Sequence, residues 1–157
     1  MTRLVALAVL ILSMVCGGGA VAKEAYQPSS DTLAAEIRRD FEAILDVWRD
    51  ARYDDLFLRT REGKESRESF SRKLADATLH PACCWEKIQD VTVTVKGDSS
   101  AVVHAKLGFD GASAGTVFKT KSFKLVKEDG LWKLSRSEVL SLAGAAKTKK
   151  KKTARHY

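Results

Sequence analysis

The chain has 157 residues, 45% of them hydrophobic, and its 27 Lys and Arg outnumber 20 Asp and Glu to give a formal net charge of +7. That length holds one domain with its own core. The positive excess is not spread over that domain: Arg3 carries one unit and the tail from Lys147 carries six, so residues 23–146 are electrically balanced and offer no domain-wide basic surface.

The first segment, MTRLVALAVLILSMVCGGGAVA, places Arg3 before an apolar run from Leu4 to Cys16 and ends in Ala20-Val21-Ala22. A short positive region, an apolar run and a small-residue triplet form the secretory signal pattern, so residues 1–22 read as a signal peptide cleaved after Ala22. Three consecutive glycines argue against an uncleaved spanning helix. Cys16 raises the alternative of a lipid anchor, against which stands the branched Val15 where a small residue is expected. Export then places the mature protein in a periplasm or outside the cell.

Residues 23–30 read as a linker with Pro28, and Ser30 or Asp31 can cap the helix that follows. Leu33, Ile37, Phe41, Ile44, Leu45 and Trp48 recur every three or four positions between charged residues, which predicts an amphipathic helix of about five turns. A second, short helix is expected over 53–60 with Tyr53, Leu56 and Phe57 as its apolar face, and after Gly63 a third buries Phe70 and Leu74. From Pro81 the period becomes two. Val91, Val93 and Val95 alternate, and after a GDSS turn so do Ala101, Val103, Ala105, Leu107 and Phe109. TVFKTKSFKLVKEDG and LWKLSRSEVLSLAG are read as two more strands around an Asp-Gly hairpin, the former changing phase between Phe118 and Phe123 as a bulged strand does. The result is an α+β fold, three N-terminal helices packed on a curved four-stranded antiparallel sheet, over residues 31–142.

This order resembles the nuclear transport factor 2-like superfamily, also called the cystatin-like cone fold. The resemblance rests on the long first helix ending in Trp48, the short 53–60 helix, the SRESFSRKL helix and the closing EDGLWKLSRSEVL. It implies a cone whose hollow face lies between sheet and helices. Members of that fold include enzymes, ligand binders and interaction modules, so the fold by itself selects none of them.

Cys83 and Cys84 are neighbours. Adjacent Cα atoms lie about 3.8 Å apart across a trans peptide, below the usual disulfide range of about 4.4–6.8 Å. The pair therefore reads as thiols entering the first strand, one toward the core, with a vicinal or intermolecular disulfide as the alternative. Structural zinc wants four ligands, and only His80 stands close in sequence, so no metal or cofactor is expected. For acid–base chemistry the resemblance points to side chains inside the cone, and Tyr53, His104, Asp110 and Arg136 are the candidates. By alternation His104 falls on the outer face and Asp110 is a turn residue, while Arg136, in phase with Trp132 and Leu134, either faces the hollow or pairs with Glu138 or an acidic helix residue such as Asp46. Trp48, Trp85 and Trp132 read as core.

Residues 143–157 read as a disordered basic tail whose Lys147, Lys149, Lys150, Lys151, Lys152 and Arg155 either remain solvated or hold an anionic envelope surface. Nucleic acid is the weakest reading, because no aromatic residue interleaves with the lysines except Tyr157. Together these features predict an exported, non-catalytic domain binding a small apolar ligand or a partner protein in or on the concave sheet, through Trp48, Tyr53, Trp132 and Arg136. Two alternatives stand beside it: a cyclase- or isomerase-like enzyme with a pocket around Tyr53 and Arg136, and a structural module that homodimerises through the sheet.

Overall fold

A computed structural model describes residues 29–111 and 115–145. The signal segment, most of the linker and the basic tail from Lys147 lie outside those residues. Helix α1 (Ser30–Arg49) is capped by Ser29, one position before the expected cap: its Oγ accepts the Thr32 N–H at 3.2 Å. Asp31 in the first turn and Arg49 in the last suit the helix dipole. The helix ends where Ala51 takes a positive φ of 56° and turns the chain into α2 (Tyr53–Leu58). Ser66 caps α3 (Arg67–Ala75), which buries Phe70 and Leu74 as its spacing requires.

The curled sheet is built around β4 (Ser100–Asp110). One flank of β4 pairs with β5 (Val117–Glu128), which continues through β6 (Leu131–Ser135) to a two-residue parallel strand, β1 (Thr60–Arg61). The other flank takes two strands in succession, β3 (Ile88–Val95) and the two-residue β2 (His80–Pro81). Asp129 and Gly130 both adopt positive φ in the β5–β6 turn, the conformation that twists a tight hairpin correctly. The α+β architecture stands, with four α-helices and six strands among the described residues in place of three and four.

Three differences have local causes. LWKLSRSEVLSLAG is not one strand. Ser135 Oγ accepts the Glu138 N–H at 3.2 Å, so the strand stops and α4 (Arg136–Leu142) begins there. Gly144 at φ 76° closes α4, with Gly144 N–H bonding Ser141 C=O and Ala145 N–H bonding Leu140 C=O. Ala143 is fully buried, so the packed chain continues past the expected boundary at 142. Next, β5 carries no bulge: its register with β4 runs unbroken from Ser100↔Val126 to Phe109↔Val117. Phe118 lies on the outer face opposite Gly108, 39% exposed, and the Lys106 ammonium sits 4.4 Å from its ring. The irregularity is instead in β3, between Gln89 and Thr92, where Asp90 has φ 51°.

Third, Cys83 and Cys84 precede β3 on the solvent side, both exposed and joined by a disulfide with Cα atoms 3.7 Å apart. The expectation of a strand entry with one thiol in the core fails because a 3₁₀ turn (Cys84–Glu86) lifts the pair off the sheet. It lifts Trp85 as well, which is 73% exposed and not core.

The hollow face is filled. Phe41 of α1 packs on Phe123 at 5.2 Å between ring centroids and Trp48 on Phe109 at 5.7 Å, while Trp132, Leu134 and Val139 close the other end. Deleting an aromatic side chain as large as Trp48 from such a core costs about 3–5 kcal/mol.

Candidate functional site

Helix α2 is only six residues long and buries one side chain completely, Leu56. Its other residues are half-buried or exposed, and depressions form on both sides of it. The larger, of about 490 Å³, lies between the C-terminal half of α1, α2 and the β5–β6 hairpin tip. Its apolar floor is Ala43, Val47, Leu58 and Leu131. Leu58 is 57% exposed and Leu131 37% exposed, so two leucines face water across this groove. Its rim holds two acids, Asp46 and Asp55, and two bases, Arg52 and Arg59.

Arg52 and Asp55 form an ion pair, with Nε to Oδ2 at 2.8 Å, and border both depressions. The second depression, of about 280 Å³, is lined by Tyr53 and Asp54 of α2 and Ser71 of α3. Ser71 Oγ donates to Asp54 Oδ1 at 3.2 Å. Partial burial pushes the Tyr53 phenol above its ordinary pKa, so it holds its proton through neutral pH and serves as a hydrogen-bond donor there.

One helical turn along α2 stands Phe57, with Arg136 stacked on its ring at 4.3 Å from guanidinium carbon to centroid and Arg67 near the same ring at 5.6 Å. Arg136 forms no ion pair among the described residues, and its Nε is buried without a hydrogen-bond partner. The expected partners are taken: Glu138 by Lys121, and Asp46 by Arg49 and Lys87. Gly63 is what lets the loop approach, since a Cβ there would lie 2.9 Å from Arg136 Nε. Glu65, close by, is held below the usual carboxylate range chiefly by the Lys73 ammonium that bonds it at 3.2 Å.

The four proposed ligand-binding residues thus separate. Trp48 and Trp132 are buried in the core at 0% and 1% exposure and line neither depression. Tyr53 lines the smaller depression. Arg136 begins α4 and stacks on Phe57, so its expected strand phase with Trp132 and Leu134 does not apply. His104 is on the outer face, its Nδ1 3.0 Å from Ser122 Oγ, and Asp110 ends β4 with Oδ1 accepting from Thr116 Oγ1 at 3.1 Å. The outer face around His104 is polar, with Thr92, Thr94, Ser122 and Lys124 all exposed. Sequence reasoning missed Leu58 and Leu131, the leucines that make the groove. An exposed leucine one position beyond the apolar face of a short helix was the available signal at 58.

Among the described residues no group of three or more His, Cys, Asp or Glu is placed to hold a metal ion, and no helix is long and apolar enough to cross a membrane.

No family model and no curated protein matches the chain. Solved structures do match. One is a candidate scytalone dehydratase from Novosphingobium aromaticivorans, 12% identical, covering 64% of this chain and 78% of that one with a TM-score of 0.48. At that level the likeness carries no conclusion about this chain.

Proposed function

We propose that this protein is an exported, non-catalytic binding domain of the nuclear transport factor 2-like kind, and that it recognises a partner protein through the groove between α1, α2 and the β5–β6 hairpin. The carrying observation is the groove's composition: two solvent-facing leucines over Val47 and Ala43, rimmed by two acids and two bases. An apolar centre within a mixed polar rim is how protein interfaces are built. A small apolar ligand is better served by a cavity that buries 70–90% of its surface, and the place in the fold for such a cavity is occupied by Trp48, Trp132 and their neighbours. The export reading rests on the signal pattern of residues 1–22, and the basic tail adds contact with an anionic surface.

The test is site-specific photo-crosslinking from position 58 in cells that export the full chain, with position 104 on the outer sheet face as control. A discrete protein adduct is expected from 58, lost on Leu131→Glu and absent from 104. Identical adducts from both positions, or an adduct indifferent to Leu131→Glu, overturns the groove as the binding surface.

A further inference from the structure

We propose that the Cys83–Cys84 bond is a thiol–disulfide exchange site, accepting electrons from a dithiol and returning them to an oxidised one, and that it is not a structural staple. Its placement carries the inference. Strands β2 and β3 both pair with β4, and the loop between them is held at each end by that same strand: Ala82 N–H donates to Gly108 C=O at 2.9 Å, and Gly108 N–H to Lys87 C=O at 3.3 Å. Glu86 is tied down separately, its Oε2 accepting from Thr116 Oγ1 at 3.0 Å. What lies between these anchors, Cys83 to Trp85, faces water.

A disulfide stabilises a fold mainly through the loop that it closes, by an amount that grows with loop length. This one joins residues one apart in sequence and so closes the smallest loop a chain allows. The loop is already anchored at both ends by backbone bonds, and β3 makes its ladder to β4 without it. The bond therefore contributes little to holding the domain together, while both its sulfurs belong to exposed residues that a thiolate in solution can reach. Cleavage can proceed without unfolding.

The exchange balances in two steps. A thiolate of the incoming dithiol attacks one sulfur, forms a mixed disulfide and releases the other cysteine as a thiolate. The second thiol of the reagent, once deprotonated, then displaces the remaining cysteine. Two electrons and two protons pass to the protein, leaving Cys83 and Cys84 as thiols and the reagent as its disulfide. The opened ring frees Cys84 from the left-handed conformation it holds at φ 60°, where residues with a Cβ are disfavoured, and with it the backbone that presents Trp85. The exchange thus sets the position of the most exposed large hydrophobic side chain among the described residues.

The experiment treats the folded full chain with dithiothreitol, alkylates with iodoacetamide, and maps the peptide holding residues 83 and 84. Both cysteines should be alkylated in the folded protein and protected again after incubation with oxidised dithiothreitol. The thermal midpoint should move by less than about 2 °C on reduction. Tryptophan emission should rise reversibly, because a disulfide quenches a neighbouring indole, and the rise should be absent in Trp85→Phe. Alkylation only after unfolding, alkylation of both cysteines in untreated protein, or unfolding on reduction would each overturn the proposal. The Cys83→Ser/Cys84→Ser double variant is expected to melt with the wild type and give no emission response; failure of that variant to fold would make the bond a staple.

Discussion

Replacing Asp40 tests how the first helix is fastened to the sheet. Trp132 stands opposite Lys127 next to the hairpin turn, and its N–H points away from β5, toward the edge of β6 that the two-residue β1 leaves uncovered. No strand among the described residues takes that donor. Asp40 of α1, only 7% exposed, does: its Oδ2 accepts the Trp132 N–H at 3.2 Å across 92 residues of sequence. Asp40→Ala leaves the buried N–H without a partner, at a cost of about 1–3 kcal/mol. With roughly 4–8 °C per kcal/mol for small domains and less as size grows, a loss near 2 kcal/mol lowers the midpoint by about 8–10 °C. The assay is thermal denaturation followed by far-ultraviolet circular dichroism at neutral pH, with Arg39→Ala as control. Arg39 is 76% exposed and approaches the same carboxylate at only 3.7 Å, so its removal should cost less than about 0.5 kcal/mol. Asp40→Asn, which keeps an acceptor oxygen, should fall between the two. A midpoint for Asp40→Ala within about 2 °C of wild type refutes the role given to this bond.

Glu36 is held below the usual carboxylate range, first by its hydrogen bond from Lys127, and it also accepts the Trp132 indole N–H at 3.1 Å. Its folded pKa is depressed, so its contribution is complete above the unfolded value and is lost as pH falls through the folded one; Glu36→Gln should lower stability by about 1 kcal/mol at neutral pH and flatten that acid limb, as urea unfolding across the pH series will read. In Gly108→Ala the new Cβ would lie 2.3 Å from the Glu86 carbonyl oxygen, so the loop bearing the disulfide must move. The expected cost is about 1–3 kcal/mol, read by thermal melting together with faster amide exchange at Ala82 than in the wild type.

Where one face of an element is buried and the other wet, the pattern was plain in the residues. Ala101 to Phe109 alternate because β4 is the centre of the sheet with helices on one side, and Phe70 and Leu74 stand one turn apart because α3 buries a single stripe. What escaped was decided by partners far away in sequence. Phe118 reads as a core residue displaced by a bulge, but in an unbroken register it falls on the outer face, where the Lys106 ammonium covers its ring. Trp132 and Leu134 set an alternation that a longer strand would carry through Arg136, while the hydroxyl of Ser135 had already turned the backbone into a helix. The Ser-x-x-Glu spacing at 135–138 was the local sign of that change, and it outweighs two further residues of period two.

The site was harder to read for a physical reason. A groove is a relation between surfaces, and each of its leucines, taken alone, is an ordinary exposed side chain of the sort every domain carries. Leu58 and Leu131 are separated by most of the domain in sequence and acquire meaning only because α2 is too short to cover the end of α1. The aromatic residues that look like ligand contacts have the opposite history. Trp48 and Trp132 are two of the chain's three tryptophans, and a domain of this size that left them lining an open hollow would forgo about 3 kcal/mol of burial for each. With the hollow filled, the proposed recognition falls to the rim, where α2 presents Tyr53, Phe57 and Leu58 on different flanks, with Arg136 stacked against the middle one. On the proposed reading, a partner that spans this short helix would meet an apolar cleft on one flank and, on another, a guanidinium that forms no ion pair among the described residues.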